Sequence, residues 1–77
     1  MSFEFSKHAL EQMELRDITK RTVEKILAHP LQIKEEDEKK VYQSIVKNYL
    51  IRIFVNDKKK PKMIITVYKT SKIKKYL

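Results

Sequence analysis

The sequence predicts an α+β domain, an N-terminal αα-hairpin packed on a three- to four-stranded antiparallel sheet. Three observations carry this expectation. Two short apolar stripes at helical spacing, each behind a capping hydroxyl, fill residues 6–29. β-branched and aromatic residues dominate from Val41 to Tyr68. Pro30 separates the two regimes. At 77 residues the chain reads as one domain, 1–77, with a thin core and sites near its surface.

The first helix starts at Ser6, whose hydroxyl can accept from an orphan amide of the first turn. Phe5 and Leu10 form a candidate hydrophobic staple, and Leu10 and Met13 continue the apolar stripe. The helix is expected from about Lys7 to Leu15, and Arg16-Asp17-Ile18 breaks the pattern. Thr19 caps a second helix, with Ile18 and Val23 as its staple and Val23, Ile26 and Leu27 as its buried face. It should stop before Pro30, which drives His29 out of the α region.

After Pro30 the period changes. Leu31-Gln32-Ile33 is a brief extended stretch, and Glu35-Glu36-Asp37-Glu38 reads as an acidic turn. Val41–Val46 and Tyr49–Val55 read as strands joined by a tight Lys47-Asn48 turn. Asn56 to Pro61 is a polar loop. Met63–Tyr68 is the strongest strand, and its Ile64-Ile65-Thr66-Val67 core suggests a central position flanked on both faces. The tail from Lys69 to Leu77 is basic, with Ile73, Tyr76 and Leu77 able to dock.

Charge is distributed unevenly. The net charge is +8, but residues 1–38 hold 6 basic and 9 acidic side chains, whereas residues 39–77 hold 12 basic and 1 acidic. A polyanion such as nucleic acid fits the C-terminal half; an acidic protein fits the same field. The absence of cysteine removes disulfides, thiolate metal sites and a cysteine nucleophile, and it suits a cytoplasmic location. No signal peptide or membrane span is legible, so no membrane partner is expected. The absence of glycine excludes P-loop and GxGxxG phosphate cradles, so no nucleotide cofactor is expected. The only dense acidic cluster is contiguous, so neither a metal site nor any other cofactor is expected.

The candidate catalytic residues are His8, Arg16, Arg52 and Tyr68. His8, near the positive end of a helix dipole, favours a neutral imidazole that can accept a proton, although a surface histidine explains it as well. Arg52 lies among apolar strand residues and must face a cleft, an edge or a carboxylate. Arg16 in the interhelix corner can reach the same cleft, or pair with Asp17 or Glu14. Lys58, Lys59, Lys60 and Lys62 crowd one loop, either as phosphate contacts or as a solvated turn guarding a sheet edge. Alternation puts Thr66, Tyr68 and Thr70 on one face; Thr70, Ser71 and Lys72 are then candidate RNA contacts. A histidine, arginines, a tyrosine and a lysine can cleave RNA through its 2′-hydroxyl without metal.

Phe5-Ser6-Lys7-His8-Ala9-Leu10-Glu11-Gln12-Met13, then Arg16-Asp17-Ile18 and Pro30, resembles the opening of a family of short prokaryotic proteins of unknown function. The closing Thr66-Val67-Tyr68-Lys69-Thr70-Ser71-Lys72-Ile73-Lys74-Lys75-Tyr76 is similar to that family's ending. The family is grouped with RelE-like toxins and the barnase–EndoU–colicin–RelE ribonuclease fold. The resemblance implies a metal-independent endoribonuclease, the toxin of a type II toxin–antitoxin pair, with RNA as substrate and a cognate antitoxin as partner. It places His8, Arg16, Tyr68, Thr70, Ser71 and Lys72 on family positions. Gln12 stands where many relatives carry an arginine, which implies reduced activity or a shifted role. The alternatives are a non-catalytic nucleic-acid- or protein-binding module and a gyrase-directed toxin. The catalytic reading requires His8 and Tyr68 to lie on the same side of the sheet.

Overall fold

The computed structural model describes residues 3–77. In chain order it contains β1 (Phe3–Phe5), α1 (Lys7–Leu15), α2 (Lys20–Ala28), β2 (Gln32–Glu36), β3 (Lys39–Val46), β4 (Tyr49–Asn56), β5 (Lys62–Thr70) and α3 (Ile73–Tyr76). The α+β class and both predicted helices are present. The sheet differs from expectation: it has five strands in the order β1-β5-β4-β3-β2 and is mixed, because β1 runs parallel to β5. Three residues were too few for periodicity to declare β1 a strand, and its pairing forms only when β5 is in place. β4 rather than β5 is the middle strand, since β1 covers only Lys62–Ile64 of β5.

The caps form as their chemistry requires. Ser6 Oγ accepts from the Ala9 amide at 3.0 Å and donates to the Ile65 carbonyl at 2.8 Å, so one hydroxyl starts α1 and fastens it to β5. Thr19 Oγ1 accepts from the Thr22 amide at 3.1 Å. On α1 the buried residues are Ala9 and Met13, one turn apart, whereas Leu10 is 39% exposed and not part of the inward stripe. Ile18, Val23 and Ile26 bring α2 into the same core, against Ile51, Ile53, Val55, Ile64 and Val67. These strand residues line the helix-covered face of the sheet.

No glycine is present, so the tight turns place other residues at positive φ. Lys47 and Asn48 take φ 49° and 69° between β3 and β4, the pattern of a two-residue hairpin turn. The acidic turn is shorter than expected. Only Asp37 and Glu38 form it, also at positive φ, while Glu35 and Glu36 belong to β2 and pair with Lys40 and Lys39.

Register defines the second face. Arg52 lies opposite Gln43 on β3 and Tyr68 on β5; Leu50 lies opposite Ile45 and Thr70. Thr66, Tyr68 and Thr70 therefore do share a face, and it is the one the helix pair leaves uncovered. The C-terminal turn α3 crosses this second face, bringing Tyr76 onto Arg52. No helix among the described residues is long and apolar enough to cross a membrane.

Candidate functional site

Arg52 projects from the middle strand and is only 5% exposed. A cation at that depth requires partners, and three elements supply them. Its Nε donates to Gln43 Oε1 at 2.7 Å and its Nη2 to Glu36 Oε2 at 2.5 Å. The guanidinium carbon lies 4.2 Å from the centroid of the Tyr76 ring and 5.3 Å from that of Phe54. Gln43, itself buried, donates from Nε2 to Gln32 Oε1 at 3.1 Å and to the Tyr76 carbonyl at 3.3 Å. The Tyr76 carbonyl also accepts from Lys34. Gln43 was not singled out in the sequence, Glu36 was read only as part of the acidic turn, and Tyr76 only as a tail residue able to dock. Their signal was the demand that Arg52 find a carboxylate, and strand alternation on β2 meets it through Glu36.

Arg16 reaches this face from the other side. It caps the C-terminal end of α1, and its carbonyl accepts from Lys69 Nζ at 3.0 Å. Its guanidinium donates to Gln12 and lies 5.7 Å from the Tyr68 ring centroid. Neither Asp17 nor Glu14 is its ion-pair partner. Tyr68 in turn meets Tyr76 edge to face, with centroids 6.4 Å apart. Arg16, Tyr68, Tyr76 and Arg52 thus form a continuous cation–aromatic row along the second face.

His8 is not part of that row. It is exposed on α1, in the layer on the opposite side of the sheet from Tyr68, and no hydrogen bond or ion pair engages it among the described residues. The geometry therefore fails the requirement that His8 and Tyr68 share a side. The alternation of Val67, which faces the helices, with Tyr68, which faces away, is the physical reason.

The basic residues divide between the two ends of the sheet. Lys58, Lys59, Lys60 and Lys62 lie at or beside the β4–β5 loop, where Lys58 Nζ pairs with Glu38 Oε1 at 3.1 Å. Thr70, Ser71 and Lys72 lie at the far end of the nine-residue β5, roughly 27 Å away at ~3.3 Å per residue. Thr70 Oγ1 accepts from the Lys72 amide at 3.1 Å and shapes the turn into α3. Lys72, Lys74 and Lys75 share with Tyr68 and Tyr76 a segment, residues 66–77, that contains no acidic side chain, and Lys75 Nζ lies 5.5 Å from the Tyr76 ring centroid. Lys69 points to the helix-covered face, its Nζ 4.9 Å from the Tyr49 ring centroid. One surface depression adjoins Arg16 through Gln12 and is lined by Glu11, Gln12, Glu14 and Leu15; another is lined by Glu35, Glu38, Asp57 and Lys58. Their carboxylates disfavour a phosphate chain. No cluster of three or more metal-ligating side chains occurs among the described residues.

No curated protein and no solved structure matches this sequence. A family model does match, over residues 5–69, a span that holds α1, α2 and all of the sheet except the first two residues of β1 and the final residue of β5. The chain belongs to the family described as domain of unknown function DUF4258.

Proposed function

We propose that this chain binds RNA across the second face of its sheet, as a RelE-like domain of the toxin type acting in the cytoplasm. One observation carries the reading: Lys72, Lys74 and Lys75 lie in a segment without acidic side chains that also holds the Tyr68–Tyr76 pair, and the Arg16 guanidinium lies 5.7 Å from the Tyr68 ring centroid. Cations in a segment without acidic side chains attract phosphates, and the Tyr68 ring and the Arg16 guanidinium beside them suit unstacked bases. An acidic antitoxin would compete for the same lysines.

Cleavage by a route other than the His8-dependent one, which the geometry does not allow, is the second reading, favoured by the proximity of Arg16 to Tyr68. In it Arg16 and Lys72 would stabilise phosphate charge and the Tyr68 hydroxyl would assist proton transfer, with no role for His8. Chelator-resistant cleavage of RNA that is lost in both Arg16→Ala and Tyr68→Phe would support it; intact RNA after prolonged incubation would leave binding alone.

The binding test is fluorescence anisotropy with a labelled single-stranded RNA at low salt, where an affinity on the order of 10 μM is expected for a non-specific phosphate contact. Replacing Lys72, Lys74 and Lys75 together with Ala should weaken it by about tenfold or more. RNA affinity indifferent to all three lysines would overturn the reading.

A further inference from the structure

Resting on the RNA reading, we infer that the C-terminal turn is a lid over a second anion site, at Arg52, and that RNA opens it. Arg52 has five N–H donors in a fixed fork, and the hydrogen bonds to Gln43 and Glu36 use two of them. The fork that would grip a phosphate is thus only partly committed. What closes it off is Tyr76, whose ring lies over the guanidinium and whose carbonyl is held by Gln43 and Lys34.

The lid is lightly anchored. α3 has four residues, none of them buried, and its contacts to the sheet converge on Tyr76. It also brings Lys75 toward a centre that already holds Arg52 and Lys34, where Glu36 is the only carboxylate paired with Arg52 among the described residues. A phosphate chain drawn to the tail lysines gains a further forked contact if Tyr76 swings aside, so it favours the open state by that differential contact. Ordinary burial of a structural arginine would give the chain no such dependence.

The test uses nuclear magnetic resonance on the unaltered protein and RNA binding by one variant. At saturating single-stranded RNA, the through-space contact between the Tyr76 ring and the Arg52 side chain should disappear and the Arg52 Nε–H resonance should shift. Tyr76→Ala, which keeps every lysine, should bind RNA about fivefold more tightly with a salt slope steeper by about 0.7, the increment of one added phosphate contact on a single strand. That gain should vanish when Arg52→Gln is added. Persistence of the Tyr76–Arg52 contact at saturation, or equal affinity of Tyr76→Ala and parent, overturns the lid while leaving RNA binding intact. Failure of parent and variant alike to bind RNA sinks the RNA reading and the lid with it.

Discussion

Arg52 and Gln43 face each other across β4 and β3, and the Nε of one donates to the Oε1 of the other at 2.7 Å inside the second face of the sheet. This pair and Glu36 form a polar network whose members differ sharply in access to water. Arg52 is buried, whereas the Glu36 side chain is 40% exposed. Removing the carboxylate leaves a buried cation unpaired; removing the cation leaves a carboxylate that water can reach.

An asymmetry of stability follows. Glu36→Ala should lower the unfolding free energy by about 3 kcal/mol, and Arg52→Met by roughly half as much. Urea denaturation of the two variants measures this, and the opposite order would show that Glu36 does not compensate the arginine.

The separation of the two lysine clusters makes a second prediction. Lys58→Ala, Lys59→Ala and Lys60→Ala combined should change RNA affinity by less than about twofold, because Glu38, Asp57 and the neighbouring acidic turn already offset that end. Comparing salt slopes of this variant with the tail-lysine variant identifies the end that carries the phosphates. A larger loss from the loop would move the interface to the opposite end of the sheet.

His8 gives a third. Exposed and without a side-chain hydrogen bond among the described residues, it should tolerate His8→Ala with RNA affinity within about twofold of the parent and stability within about 0.5 kcal/mol. If RNA is cut, the rate should also survive. A histidine-dependent rate would mean that RNA bridges both sides of the sheet edge.

The β3–β4 turn supplies a fourth. Lys47 and Asn48 hold positive φ in a chain without glycine, and a lysine tolerates that region poorly. Lys47→Asn with Asn48→Gly should raise the unfolding free energy by about 1 kcal/mol. An unchanged urea midpoint would mean that the turn carries no strain worth relieving.

The helix ends were legible because capping is local. Ser6 and Thr19 act on amides three residues away, so spacing alone locates α1 and α2. The Lys47-Asn48 turn was legible for the same reason. β1 was not, since Phe3–Phe5 becomes a strand only through pairing with Lys62–Ile64 far along the chain. Of the candidate site, Tyr68, Thr70 and Lys72 could be assigned to one region by alternation and adjacency. The isolation of His8 could not, because it depends on which face of β5 receives α1.

By itself the sequence determined the α+β class, the two caps, the order of helices and main strands, and the concentration of positive charge after residue 38. Only the tertiary structure decided how that charge is used. Folding pairs Lys58 with Glu38, buries Arg52 on Glu36 and Gln43, and leaves the lysines of the last twelve residues without an ion pair among the described residues. Net charge is additive along a chain, but its field depends on distance, and strand register sets those distances.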